Sequence, residues 1–160
     1  MGFGEPQGDT AVSRPSAPLD EVVVWSDGGA RGNPGQAGFG VVVTTPGGEV
    51  LAQLAEGIGW ATNNVAEYRG AIAGLQQALA LAARRVRVRA DSLLVVNQQK
   101  GLWKVKHPDL RVLWAETRRL ADQFERVTWE HVPRERNRRA DALANQAMDA
   151  QGAVERLPRT

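Results

Sequence analysis

Four acidic residues stand where a sheet and its helices could bring them together. Asp27 follows the apolar run Val22-Val23-Val24-Trp25 and precedes a glycine-thick segment, Gly28-Gly29-Ala30-Arg31-Gly32-Asn33-Pro34-Gly35, so its carboxylate would be offered where backbone can approach a ligand closely. Glu67 lies in the first turns of an amphipathic pattern, Asp91 follows the alternating run Val86-Arg87-Val88-Arg89-Ala90, and Asp141 falls near the start of a last helical stretch. Each has an ordinary explanation. Asp27 could form a turn, Glu67 could complete a capping box with Asn64, Asp91 could cap a helix and Asp141 could complement a helix dipole. As a group they could hold metal. Cysteine is absent, which excludes disulfides and thiolate-bound zinc or iron-sulfur centres and leaves oxygen and histidine ligands. Carboxylate sets suit Mg²⁺. Two such ions about 3.5 to 4 Å apart stabilise the attacking and leaving oxygens of an in-line displacement at phosphorus, so the chemistry to look for is phosphodiester hydrolysis.

The elements that must position these groups follow from periodicity. Val22 to Trp25 reads as a buried strand ending at Ser26-Asp27, with a turn through the glycines. Phe39 to Thr45 and Glu49 to Gly57 are β-type runs joined by the hairpin signal Pro46-Gly47-Gly48. From Asn64 to about Ala83, Tyr68, Ala71, Ile72, Leu75, Leu79 and Ala82 recur at helical steps. Val86, Val88 and Ala90 predict a half-buried strand, Leu93 to Lys100 a helix stopped by Gly101, and Pro108 the first turn of another with the stripe Leu110, Leu113, Trp114, Thr117, Leu120, Ala121 and Phe124. Val127, Trp129 and His131 alternate in a last strand, which puts His131 on the core side, and Arg139 to Ala150 closes as a helix. The order β-β-β-α-β-α-α-β-α predicts an α/β fold: a mixed five-stranded sheet, three antiparallel then parallel strands, flanked by helices. Ligands of such sheets gather beyond the carboxyl ends of parallel strands, where Asp27 and Asp91 fall.

Residues 1–20, rich in Gly, Pro, Ser and Ala, predict a disordered leader; residues 21–150 form one domain and residues 151–160 a tail without signal. No apolar run approaches the roughly 20 residues that span a bilayer, so no membrane partner and a cytoplasmic location are expected. The formal charge is only +2, yet the 20 Lys and Arg cluster, as in Arg84-Arg85-Val86-Arg87-Val88-Arg89 and Arg134-Glu135-Arg136-Asn137-Arg138-Arg139. Such faces suit a polyanion, or are solvated surface.

The segments Asp27 to Gly35, Thr62-Asn63-Asn64-Val65-Ala66-Glu67, Ala90-Asp91-Ser92 and Ala140-Asp141-Ala142-Leu143-Ala144-Asn145 resemble, in order, the signatures of type 1 ribonuclease H, over about Glu21 to Met148. The resemblance implies that Asp27, Glu67, Asp91 and Asp141 hold two Mg²⁺ ions, with Mn²⁺ as a substitute. It also implies attack of water on an RNA phosphate of an RNA/DNA hybrid, leaving 5′-phosphate and 3′-hydroxyl ends. It assigns Asn33, Asn63 and Asn64 to the hybrid's minor groove and Thr62 to a DNA-strand phosphate; the lesser alternative for Asn63 and Asn64 is turn and cap chemistry. Amide groups that engage 2′-hydroxyls read no sequence, so cleavage should be largely sequence-independent, and a monomer is expected.

Two departures matter. Many bacterial relatives carry a long basic protrusion where this chain has only Lys100, Trp103, Lys104 and Lys106 before Pro108. Trp103 and Lys104 are candidates to contact the DNA strand by stacking and charge, or else serve packing and solubility. Those relatives also place a histidine in the loop before the last Asp, whereas this loop reads Val132-Pro133-Arg134-Glu135-Arg136-Asn137-Arg138-Arg139-Ala140. It resembles the compact archaeal and actinobacterial variety, in which Arg134 or Arg136 is expected to replace the histidine by holding a phosphate. His107 is expected at the surface. The rival readings are a non-catalytic hybrid-binding module of the same fold, a DNA-cleaving relative, and a nuclease that also acts on double-stranded RNA.

Overall fold

Valine sets the centre of the sheet. Val22, Val24, Val41, Val43, Val86 and Val88 are all fully buried, as expected of β-branched side chains packed on a pleated surface. A computed structural model of the protein describes residues 19–150 and 153–154. Apart from those few end residues, the expected leader and tail lie outside the described residues. The strands are β1 (Glu21–Arg31), β2 (Gly35–Thr44), β3 (Val50–Ala61), β4 (Arg85–Ala90), β5 (Arg126–His131) and β6 (Ala153–Val154). The helices are α1 (Asn63–Ala80), α2 (Leu93–Gln99), α3 (Pro108–Ala121) and α4 (Arg138–Ala150), with a single 3-10 turn at Arg134–Arg136.

The sheet order is β5-β4-β1-β2-β3-β6. The β1–β2–β3 meander is antiparallel, and β1–β4 and β4–β5 are parallel. This is the expected mixed five-stranded sheet, with the two-residue β6 added from the segment read as tail, where it pairs with Ala55 and Glu56. Alternation along β2 divides the layers. Phe39 faces α1, where it meets Gly70, whereas Gly38 and Gly40 face α4. Helices α1, α2 and α3 thus share one core with the sheet, and α4 packs on β1, β2 and β3 of the other face.

The structure corrects several local expectations. Strand β1 does not stop at Asp27 but runs on to Arg31, pairing Gly28 with Phe39 and Gly29 with Gly38. Its glycines are strand residues that admit neighbouring backbone, and the turn begins at Gly32, whose φ is +84°. Strand β3 continues past Gly57 to Ala61 across a register shift. Helix α1 is capped by Thr62, whose Oγ1 accepts from the Val65 N–H at 3.2 Å, and not by Asn64. Ser92 rather than Asp91 caps α2, by the same bond to Val95. His131, expected in the core, is exposed at the end of β5, because alternation continued past the last covered position at Trp129. His107 is exposed as expected and caps α3, its Nδ1 accepting from the Asp109 N–H.

Candidate active site

Parallel pairing of β1 with β4 ends at Ser26 and Ala90, so Asp27 and Asp91 are the next residues of two adjacent strands. Beyond that point β1 continues only against β2, with Asp27 opposite Gly40. Two glycines there let helices approach from opposite sides. A Cβ on Gly28 would lie 2.4 Å from the Ala66 carbonyl oxygen of α1, and one on Gly40 would lie 2.4 Å from the Ala140 carbonyl oxygen of α4. The first contact delivers Glu67 to Asp27, and the second delivers Asp141 in the first turn of α4. Gly28 also donates its backbone N–H to Glu67.

One further residue bolts α4 in place. Asn137 is buried; its Nδ2 donates to the Ser26 carbonyl at 2.9 Å and its own carbonyl accepts from the Asp141 N–H at 3.0 Å. Sequence reasoning passed over it inside an arginine-rich run, although Asn immediately before a helical pattern is a cap signal.

Carboxylate oxygens of Asp27, Glu67 and Asp91 lie within 4.8 Å of one another. Asp141 contacts Asp27 and is joined to Asp91 through Arg134, whose Nε is 3.9 Å from each of Asp91 Oδ2 and Asp141 Oδ1. Burial, then the neighbouring Asp91 and Asp141 carboxyls, push Asp27 up to about 8. Burial and the charges of Asp27 and Asp91 raise Glu67 well above the usual carboxylate range, against the Gly28 N–H and Arg134, which lower it. Asp91 Oδ1 is buried without a hydrogen-bond partner. An all-oxygen set that repels itself and holds a buried unpaired acceptor fits a hard divalent cation, whose charge favours the ionised forms.

The remaining expected residues divide. Asn33 and Asn63 meet beside the β1–β2 turn: the Asn63 N–H donates to Asn33 Oδ1 at 3.0 Å, and the Ala30 N–H donates to Asn63 Oδ1 at 2.8 Å. Thr62 and Asn64 flank Asn63 at the start of α1, about one helical turn before Glu67. Trp60, left aside in the sequence reading, stands opposite Gln36 two residues before Thr62 and is 73% exposed. Trp103 and Lys104 are exposed beyond the far end of α2, roughly 10 Å along the helix from Asp91. Arg136 is not brought to the carboxylates; it lines a cleft beside Trp25 on the other side of the 3-10 turn. Among the described residues no helix is long and apolar enough to cross a membrane.

A family model described as reverse transcriptase-like matches residues 25–147. A bifunctional protein of Mycobacterium tuberculosis is 57% identical over 131 residues, which are 81% of this chain but 36% of that protein. The chain therefore spans about a third of that relative's length. Ribonuclease HI of Halobacterium salinarum is 42% identical over 146 residues, 91% of this chain and 73% of the relative. A crystal structure of a ribonuclease H1 called LC11, in complex with an RNA/DNA hybrid, superposes with a TM-score of 0.77 at 40% identity, covering 81% of this chain and 97% of that one.

Proposed function

The chain belongs to the ribonuclease H family, and on that premise we propose that it is an endonuclease that hydrolyses the RNA strand of RNA/DNA hybrids, without strong sequence preference, to 5′-phosphate and 3′-hydroxyl ends. The observation that carries this reading is the convergence of the Asp27, Glu67 and Asp91 oxygens within 4.8 Å, with Asp141 beside them. Asp27, Glu67, Asp91 and Asp141 would hold two Mg²⁺ ions, or Mn²⁺ in their place, and ions so bound supply Lewis acidity and an activated water at the scissile phosphate.

The chain's own groups supply binding and orientation. The Gly28 N–H fixes the Glu67 carboxyl. Arg134, its side chain 73% exposed beside Asp91 and Asp141, reaches outward to hold a phosphate oxygen of the strand being cut. Asn33, Asn63 and Asn64 present amides and backbone to the shallow minor groove, where the 2′-hydroxyl separates RNA from DNA. Thr62 takes a phosphate of the DNA strand, and Trp103 and Lys104 extend the contact along it. A cytoplasmic monomer is part of the same reading.

A labelled RNA strand annealed to DNA, incubated with and without Mg²⁺ beside the Asp27→Asn variant, tests it. Metal-dependent cutting of the hybrid, lost in the variant, is expected. Single-stranded RNA, duplex RNA and duplex DNA serve as controls, and cutting of duplex RNA as well would widen the substrate without moving the site. Binding of the hybrid with no cleavage under either metal would make the chain a recognition module.

A further inference from the structure

On the side of the 3-10 turn away from the carboxylates, a cleft of about 270 Å³ opens between the start of α4, the first half of β1 and the last half of β2. Trp25 and Val42 form its floor, and Arg89, Arg136, Arg138 and Arg139 stand around it. Among the described residues no acidic side chain lines it. The floor is held rigid. Trp25 Nε1 donates to Thr44 Oγ1 at 3.3 Å, and the Arg89 guanidinium lies 4.9 Å from the indole centroid while its Nε bonds Glu130 at 2.8 Å.

The arginines are of two kinds. Arg84, Arg85, Arg87 and Arg89 on and beside β4 each have a carboxylate partner. Among the described residues Arg136, Arg138 and Arg139 have none within ion-pair distance, so three uncompensated guanidiniums converge on one apolar-floored concavity. Their fork geometry matches phosphate oxygens, and the first N–H groups of α4 add to the positive field at the same rim. An indole with a guanidinium stacked over it is a platform on which a nucleobase can lie. The volume is near the lower end for small-molecule pockets, which suits a mononucleotide rather than a larger cofactor. A simple anion would leave the apolar floor unused, and an apolar ligand would leave the guanidiniums unpaired.

We propose that this cleft is a second binding site, separate from the carboxylate cluster, for a nucleoside monophosphate unit: the phosphate between Arg136, Arg138 and Arg139 and the base over the Arg89–Trp25 stack. The unit comes either from a free nucleotide or from the unpaired end of a nucleic-acid strand.

The test is a titration of the full chain, ¹⁵N-labelled and free of divalent metal, with adenosine 5′-monophosphate, adenosine and inorganic phosphate, reading the Trp25 indole N–H by NMR. A saturable shift is expected with the nucleotide, about tenfold weaker with phosphate or adenosine alone. The double variant Arg138→Gln/Arg139→Gln should weaken nucleotide binding about tenfold or more with its spectrum otherwise native, whereas Asp27→Asn should leave it unchanged. Duplex DNA with and without a single-stranded tail separates the sources. A tail preference lost in the double variant identifies a strand end, and nucleotide binding without any tail preference identifies the free nucleotide. Equal affinity for phosphate and nucleotide, no effect of the double variant, or loss of binding in Asp27→Asn would overturn the proposal. Because neither hybrid nor cleavage enters this titration, it stands or falls independently of the hydrolase reading.

Discussion

Replacing Asp27 by Asn should make the metal-free protein more stable while abolishing its activity. The Asp27 carboxyl titrates at about 8 in the fold instead of an ordinary 3.8. A group raised in this way favours the fold fully only below its unfolded value, and ionising it draws down stability as pH rises towards the folded value. At pH 7 the gap from 3.8 corresponds to about 4 kcal/mol, an upper bound because Asp91 and Asp141 share the repulsion and can relax with it. Asn keeps the size, removes the charge and adds an amide donor towards its carboxyl neighbours. A net gain of about 2 kcal/mol is expected, which for a domain of this size raises the midpoint by roughly 4 to 8 °C. The gain should be near zero at about pH 3, below the ordinary value, where the carboxyl is largely neutral folded and unfolded, and nearly full at about pH 8. Thermal unfolding in chelator across that range, for wild type and Asp27→Asn, measures it. Added Mg²⁺ should then raise the wild-type midpoint and not the variant's, with affinity for the ion increasing with pH as bound protons are displaced. A variant no more stable than wild type at the upper pH, or equally stabilised at both ends, would refute the electrostatic account of the cluster.

The other expectations concern neighbours of that cluster. Arg134→Ala should slow single-turnover cleavage about a hundredfold to a thousandfold, as removal of one charge-stabilising donor does, while Arg136→Ala changes it little; equal effects would deny that only Arg134 faces the carboxylates. Gly28→Ala should destabilise by about 3 kcal/mol, since its Cβ would meet α1 backbone, whereas Gly47→Ala, with only the Thr45 hydroxyl at 3.8 Å, should be nearly silent in the same urea titration. Trp60→Ala should raise KM for the hybrid several-fold, by about the 1 kcal/mol or more of an aromatic contact, with kcat, the salt slope of binding and the unfolding midpoint unchanged. A fall in kcat or in stability would instead make Trp60 a structural residue.

Much of the site was legible because its residues sit at element boundaries that periodicity marks. Asp91 follows Arg alternating with Val86, Val88 and Ala90, and Asp141 opens a helical stripe, so their placement needed only the order of elements. The extent of β1 was not legible: Gly28 and Gly29 carry no side chain to display period two, and glycine reads as a turn unless the backbone of another element is known to press on it. Thr62 and Asn64 are both good caps, and only the point where the backbone turns helical, at Asn63 with Thr62 still extended, selects Thr62. The alternation that put His131 beside Trp129 is real, but burial depends on a covering element, and among the described residues none covers the strand's last residue. Arg134 and Arg136 could not be told apart in sequence. In a 3-10 turn, residues two apart point about 120° from each other, so one faces the carboxylates and the other the Trp25 cleft.

That short turn links the two halves of the molecule's electrostatics. Its first residue lies against Asp91 and Asp141, and its last lines the arginine cleft. Asn137, next in the chain, is bonded to the Ser26 carbonyl immediately before Asp27. The turn cannot shift towards the cleft as a unit without stretching the bond that sets α4 on β1. Asn137→Ala should remove the anchor and leave the Ser26 carbonyl unpaired, at about 1 to 3 kcal/mol, and should displace Asp141 as well. The placement of Asp141 in the carboxylate cluster thus depends on Asn137, a buried amide with no charge of its own.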